Sequence, residues 1–213
     1  YLKATDEYSS IVDLLRGHIH NAYGGSYQEG VTRRTVVNVP ANSSIQIDSI
    51  FGGAYGKYIL PPCDVYETQV NYKNTSEKAQ TTAIFGGNNK ERRSLFTQVN
   101  ISSPVYSNKT KGYTATVYGA GWGENTWSEY TEINLQDGAQ IYEVYGGGLN
   151  GRVVNLATTK KEAANYGDAE GANMNLGSYV NTGLDNDLAI SHDGKKYNTN
   201  VIIHEGAIVS GYA

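Results

Sequence analysis

The chain is poor in the residues that mark disulfide scaffolds, membrane spans and nucleic-acid-binding surfaces. Its 213 residues include 1 Cys, 1 Met and 4 Pro, and the lone Cys63 excludes an intrachain disulfide. No apolar run approaches the roughly 18 residues that a membrane-spanning helix needs. The formal net charge is −4 and the Lys and Arg residues are scattered, which argues against nucleic acid as a partner.

Motifs of catalysis and metal binding are also scarce. No Gly-Lys-Ser/Thr follows the glycine-rich segments, which excludes a phosphate loop, and no Gly-x-Ser-x-Gly provides a serine nucleophile. His18 and His20 would lie on one face of a strand, but without further ligands an ordinary surface pair is favoured over a metal site. The spacing of Asp185, Asp187 and Asp193 is similar to that of a calcium loop but lacks the later acidic ligand, which favours a turn. We therefore predict no catalytic residue, no metal site and no cofactor.

Glycine and tyrosine, in contrast, are abundant, with 25 and 18 residues respectively. Many of them belong to a recurring phrase, the aromatic–glycine motif, in which an aliphatic residue is followed by an aromatic residue and then glycines. The copies up to Val144 recur at intervals of about 30 residues, and the last follows after about two such intervals, a period typical of stacked repeat proteins. The copies are Ala22-Tyr23-Gly24-Gly25, Ile50-Phe51-Gly52-Gly53, Ile84-Phe85-Gly86-Gly87, Val117-Tyr118-Gly119-Ala120, Val144-Tyr145-Gly146-Gly147 and the weaker Val209-Ser210-Gly211-Tyr212.

A second phrase, the threonine–asparagine motif, precedes each glycine-rich copy from the second onward. Its residues alternate between apolar and polar, a pattern that indicates a strand with one buried face. The repeating unit is therefore strand, variable loop, strand and glycine turn. The copies are Thr35-Val36-Val37-Asn38, Thr68-Gln69-Val70-Asn71, Thr97-Gln98-Val99-Asn100, Thr131-Glu132-Ile133-Asn134 and the degenerate Thr199-Asn200-Val201-Ile202.

These repeats predict an all-β fold, a right-handed parallel β-helix (β-solenoid). The strands that begin at the motif threonines should lie parallel and in register, with the middle aliphatic residue of each motif inside. The asparagines have two interpretations: a ladder of stacked side-chain amides, or polar residues that face solvent on a half-buried strand. The predicted inward-facing residues are Val37, Val70, Val99 and Ile133.

The same pattern divides the chain into two parts. Residues 1–20 are predicted to form an N-terminal cap, because Ile11, Val12, Leu14 and Leu15 have helical periodicity within the segment from Tyr8 to Leu15. Residues 21–213 form the stack. Both motifs vanish at 157–198, which is either an insertion that loops out of one repeat or a diverged repeat with long connections.

Aromatic residues are the remaining candidates for a binding site. Trp122, Trp127 and Tyr130 stand in a predicted loop after a glycine turn, where the strand pattern needs no large ring. Exposed rings would offer flat surfaces on which sugar rings or a partner protein could stack. The alternative is that both indoles cover the edge of the hydrophobic core.

The repeated Val/Ile-Phe/Tyr-Gly-Gly phrase resembles the glycine-rich adhesin-like surface proteins of gut bacteria. The resemblance covers about residues 20–156 and 199–213. It implies a single-stranded right-handed parallel β-helix, a secreted or cell-surface location, and a binding or scaffold role. It transfers no functional residue.

Two classes of function remain at this point. The favoured one is a non-enzymatic extracellular scaffold or adhesin-like protein that binds carbohydrate or a protein partner through the aromatic residues. The alternative is a polysaccharide lyase or glycoside hydrolase on the same fold, which needs two or more carboxylates that converge on one face. The acidic residues nearest the predicted strands do not recur at matching repeat positions, which weakens the enzyme alternative: Asp48, Asp64, Glu67, Glu132, Asp137 and Glu143.

Overall fold

The computed structural model describes residues 9–27, 32–56, 64–107, 115–153 and 199–211. Within these ranges every regular element is a β-strand, and every pairing between strands is parallel. The prediction of an all-β chain with parallel strands is thus confirmed. No helix long and apolar enough to cross a membrane occurs in the same ranges.

Fifteen strands build the described part of the chain. They are β1 (Ser9–Asp13), β2 (Arg16–Tyr23), β3 (Thr32–Val39), β4 (Ser44–Phe51), β5 (Val65–Tyr72), β6 (Gln80–Phe85), β7 (Asn89–Ile101), β8 (Thr116–Tyr118), β9 (Trp122–Ser128), β10 (Tyr130–Leu135), β11 (Gln140–Ile141), β12 (Glu143–Tyr145), β13 (Arg152–Val153), β14 (Thr199–Ile203) and β15 (Ile208–Val209).

Two main sheets share these strands. The order in the larger sheet is β1-β3-β5-β7-β10-β14, with β9 and β13 joined to it through β7. The second sheet has the order β2-β4-β6-β8-β12, and β11 pairs with β15 separately. Neighbours in each main sheet come from successive sequence repeats, and each of the first five repeats adds one strand to each main sheet.

The register follows the threonine–asparagine motif. Thr35 pairs with Thr68, Thr68 with Thr97 and Thr97 with Thr131, and the last strand adds Thr199. The middle aliphatic residues therefore stack, and each is fully buried; they are Val37, Val70, Val99 and Ile133. This confirms the predicted parallel, in-register stack of these four strands.

The core lies between the two main sheets. The aliphatic residue of each aromatic–glycine motif packs against the column from the larger sheet in one apolar cluster. Burying one such side chain stabilises the fold by about 1.5–3 kcal/mol. The members contributed by the second sheet are Ala22, Ile50, Ile84, Val117 and Val144.

The predicted N-terminal helical cap is wrong. Ser9–Asp13 is strand β1, which pairs with β3 and places Val12 beside Val37. Val12 packs against the core, whereas Ile11 is 64% exposed. An isolated helix of two turns is marginal in water, and the edge of β3 offers a full set of backbone partners instead. The proposed boundary at residue 20 falls inside β2, and the segment 157–198 lies outside the described residues.

Candidate functional site

The two sequence motifs contact each other inside each repeat. The Thr35 hydroxyl donates to the carbonyl of Gly52 at 2.5 Å, and the same bond recurs in the following three repeats. A buried carbonyl is thereby satisfied by a buried hydroxyl, which explains why the motifs keep step along the chain. The later pairs are Thr68 with Gly86, Thr97 with Gly119 and Thr131 with Gly146, at 2.5, 2.5 and 2.6 Å.

The motif glycines are required by close packing between repeats. A Cβ on Gly52 would lie closer than 3.0 Å to the carbonyl oxygen of Gly86 and 3.1 Å from the Cβ of Thr68. The amide of Gly52 also donates to the carbonyl of Phe85 at 2.9 Å. Since φ at this glycine is not in the left-handed region, the missing side chain, rather than backbone freedom, decides the residue type.

The aromatic residue of each motif stacks on that of the next repeat. Five rings form this aromatic column: Tyr23, Phe51, Phe85, Tyr118 and Tyr145. Successive ring centroids lie 5.1, 4.7, 4.8 and 5.3 Å apart, and the interplanar angles do not exceed 15°. Offset-stacked rings at such distances attract beyond the area that they bury, so the column is a stiff support.

Further rings extend this column into solvent. Trp122 stacks on Phe85 at 5.8 Å and 16° and is 42% exposed. Tyr55 contacts Tyr23 edge-on at 5.5 Å, and Tyr27 stacks on Tyr55 at 4.9 Å. We call the exposed rings Tyr27, Trp122 and Tyr145 the aromatic face. Their exposed fractions are 61%, 42% and 40%, so flat ring surfaces reach solvent at several levels of the stack.

Burial affects the ionisation of two tyrosines of the column, Tyr23 and Tyr118. Burial raises the pKa of Tyr118 above its usual value, and the nearby Tyr145 and Glu143 act in the same direction. Burial also raises the pKa of Tyr23, although the Asn89 side chain, which donates to its hydroxyl at 3.0 Å, partly offsets the effect. Tyr23 and Tyr118 therefore stay uncharged to a higher pH than a free tyrosine does.

The three sequence-predicted site residues do not share one surface. The segment predicted as a loop is strand β9, which pairs with the first half of β7. Trp127 lies in it only 6% exposed, with the Arg93 guanidinium 5.7 Å from the ring centroid. Tyr130 is also buried and donates to Glu132 Oε2 at 2.9 Å. Of the three, only Trp122 offers a ring to solvent, and Trp127 fits the alternative of a core cover.

A buried ion pair between Arg93 and Asp64 lies behind the ring of Trp127. Arg93 donates to both oxygens of Asp64: its backbone amide lies 3.3 Å from Oδ1 and its Nε lies 3.1 Å from Oδ2. Nη2 contacts the same carboxylate oxygen. Both residues are about 1% exposed. Charges buried this deeply are tolerated only when paired and hydrogen-bonded, so this part of the chain is a structural wall and not an open binding surface.

The asparagines form an amide ladder, one of the two interpretations that the sequence leaves open. Asn134 donates to Asn100, Asn100 to Asn71 and Asn71 to Asn38, at 3.1, 2.9 and 2.9 Å. Asn38 then donates to the carboxylate of Asp13 at 2.8 Å. The side chains are half-buried on the outer face of the larger sheet, so the ladder and the solvent-facing interpretation are both partly correct.

A second column of polar side chains lies beside the asparagine ladder, and its hydrogen bonds are donated in the opposite direction along the stack. Arg34 donates to Gln69, Gln69 to Gln98 and Gln98 to Glu132, at 3.0, 2.9 and 2.9 Å. The Asn column ends on a carboxylate at the N-terminal side, and the Gln column ends on a carboxylate at the C-terminal side. These amides are engaged with one another, which leaves the aromatic face as the better candidate for ligand contact.

His18 and His20 lie on one face of strand β2, as the sequence predicts. Their ring centroids lie 6.2 Å apart, and His20 Nδ1 is 2.9 Å from Asp48 Oδ2. No group of three or more potential metal ligands is found in the part of the chain that the structure describes. Tyr27 and Tyr55 extend the aromatic column but stand outside both motifs, so that no sequence signal marks them.

Comparison of the chain with family models, curated proteins and solved structures finds no match.

Proposed function

We propose that the chain is a non-enzymatic repeat scaffold of the extracellular space or cell surface that binds carbohydrate through the aromatic face. We further propose that its stacked parallel strands form a right-handed β-helix. The location rests on the resemblance of the glycine-rich repeats to adhesin-like surface proteins. The β-helix rests on the alternation of successive strands between two parallel sheets.

The observation that carries the proposal is the position of Trp122. Its indole is backed by Phe85 at 5.8 Å, and 42% of the residue remains exposed. A ring held in place by a stack loses little conformational entropy when a ligand packs against it. Sugar rings offer apolar C–H faces to such a surface, and their hydroxyls would reach the exposed Glu124 and Asn125 on the same strand.

A glycan array followed by titration of the best glycan tests this proposal. Trp122→Ala should weaken binding by about 1–2 kcal/mol, or roughly 5- to 30-fold, because one exposed aromatic contact is removed. Tyr142→Ala is the matched control, because Tyr142 is similarly exposed, at 40%, and lies outside the aromatic column. Equal affinities of the two variants would refute the assignment of the aromatic face.

The enzyme alternative is tested on the same sample. Depolymerisation of the bound polysaccharide would favour a lyase or hydrolase and would require two carboxylates near the aromatic face. Binding without cleavage would support the scaffold.

A further inference from the structure

One corner of the stack has left-handed backbone in four successive repeats. The residues concerned each lie five positions after the aromatic residue of an aromatic–glycine motif. Their φ angles are all positive and range from 61° to 124°. We call this row the left-handed corner: Gly56, Lys90, Gly123 and Asn150.

Lys90 is the residue that suits this corner least. Glycine has no Cβ and asparagine tolerates left-handed backbone, whereas a long side chain at such a position strains the chain. A second strained residue, Arg92, follows two positions later with φ of 75°. Strained backbone of this kind clusters at ligand-binding sites, so the Lys90 side chain is a candidate for a binding role.

Lys90 lies next to the exposed indole of Trp122. The preceding residue, Asn89, pairs with Trp122, and a Cβ on Gly123 would lie 2.8 Å from the carbonyl oxygen of Lys90. The Lys90 side chain is exposed. Among the described residues its ammonium group has no hydrogen-bond or ion-pair partner. A flexible cation is thus tethered beside the ring against which the glycan is proposed to pack.

Two carboxylates lie near the same corner. Glu91 is half-buried in strand β7 and already has an interaction partner. Glu124 is exposed on strand β9, and no ion pair joins it to Lys90 in the described part of the chain. The positive charge of Lys90 is therefore available to a ligand, and Glu124 opposes the binding of an anionic one.

We propose that Lys90 is a specificity-determining residue of the aromatic face and that the glycan bound there is acidic. This inference rests on the proposed binding of carbohydrate at Trp122. A sugar ring packs against the indole, and its carboxylate or sulfate group accepts hydrogen bonds from the Lys90 ammonium. Charge-assisted hydrogen bonds are roughly twice as strong as neutral ones, so the acidic group decides which glycan is preferred.

The experiment compares acidic glycans with neutral forms of the same chains. A glycan array carries oligogalacturonate and chondroitin sulfate beside their carboxyl-reduced and desulfated forms, which separates recognition of carboxylate from that of sulfate. The parent chain should bind at least one acidic glycan roughly 10- to 100-fold more tightly than its neutral form, as expected for one hydrogen-bonded charge. This preference should shrink as the salt concentration rises.

Four variants assign the preference to Lys90. Lys90→Asn should lose most of it, and asparagine tolerates the left-handed corner, so this variant keeps the local backbone. Lys90→Arg should retain the preference, and Glu124→Gln should strengthen it. Lys78→Asn removes an exposed positive charge in the turn between β5 and β6 and should leave the preference unchanged, which controls for net charge.

Failure of this inference differs from failure of the proposed function. Equal affinity of the parent chain for acidic and neutral forms, or an unchanged preference in Lys90→Asn, would overturn the role of Lys90 and leave glycan binding at Trp122 in place. Absence of binding to every glycan on the array, acidic and neutral, would overturn both.

Discussion

The replacement of Gly119 by Ala is the sharpest test of the packing between repeats. The new Cβ would lie closer than 3.0 Å to the carbonyl oxygen of Gly146 and 3.0 Å from the Cβ of Thr131. The carbonyl belongs to the backbone of the next repeat and cannot rotate away as a side chain would. The variant must therefore move the two repeats apart locally by about 1 Å to reach an ordinary contact distance.

The size of the effect follows from what this movement breaks. The amide of Gly119 donates to the carbonyl of Tyr145 at 2.9 Å, and an added 1 Å takes this pair beyond hydrogen-bonding distance. Overpacking costs about 1–3 kcal/mol and the lost hydrogen bond about 0.5–1.5 kcal/mol. We expect a loss of about 2–4 kcal/mol in the free energy of unfolding, or a fall in Tm of about 4–16 °C at this chain length.

Urea unfolding and thermal melts measure this loss, with Gly147→Ala as the matched control. A Cβ on Gly147 would meet nothing within 4 Å, and its φ is not in the left-handed region. That variant should be neutral or more stable by about 0.4–1 kcal/mol, because it restricts the unfolded chain. Equal effects of the two substitutions would refute the claim that close approach selects the motif glycines.

Three further outcomes are expected. Val99→Ala should lower the free energy of unfolding by about 2–3 kcal/mol, because it leaves a cavity in the core. Asn100→Ala should lower it by about 1–2 kcal/mol, because two half-exposed amide hydrogen bonds are lost. A larger loss for Asn100→Ala than for Val99→Ala in urea melts would mean that the amide ladder holds the stack. Burial raises the pKa of Tyr72, so the folded state keeps a proton that the unfolded state releases, and stability should fall above about pH 10 by up to about 1.4 kcal/mol per pH unit. Tyr72→Phe should make this fall shallower without removing it, because Tyr23 and Tyr118, whose pKa values burial also raises, still contribute. Parallel pH profiles of the two chains would contradict the assignment to Tyr72. Trp127→Ala should lower the free energy of unfolding by about 3–5 kcal/mol without changing glycan affinity. A loss of affinity at unchanged Tm would show that Trp127 contacts the glycan.

The register of the stack was predictable from sequence because parallel strands in register bring identical positions together. Thr97, Val99 and Asn100 each lie beside their counterparts in the neighbouring repeats. A recurring motif therefore reports spatial neighbours directly. The choice between an amide ladder and isolated polar residues was not predictable, because both interpretations place Asn100 on the outer face.

Two features depended on contacts that no local pattern contains. The spacing of apolar residues near Ile11 predicts a helix, but the segment pairs with the edge of β3 and forms strand β1 instead. The strand that carries Trp122 and Trp127 pairs with the start of β7, where Lys90 and Arg92 both have φ of 75°. Left-handed backbone at charged residues is uncommon, and no strand rule predicts pairing there.

The buried position of Trp127 has the same origin, whereas Tyr130 begins β10 and lies beside Phe96 in the larger sheet. Both residues stand outside the two motifs, and the predicted repeating unit contained only two strands. The pairing of β9 with β7 adds β9 and β13 to the larger sheet beside its main order of strands, and Arg93 and Asp64 lie behind Trp127. Trp122, at the beginning of β9, remains at the surface.

The register of β14 has a consequence for how such a chain can grow. Partner residues in β7 and β10 are separated by 34 positions of sequence, and those in β10 and β14 by about twice as many, yet the pairing stays in register. Doubling the length of a flexible connection adds only about 0.6 kcal/mol of closure entropy, less than the contribution of one buried aliphatic side chain. New segments can therefore enter between repeats during evolution without loss of the strand register, provided that the strand after the insertion again carries the motif threonine and the aliphatic residue two positions later.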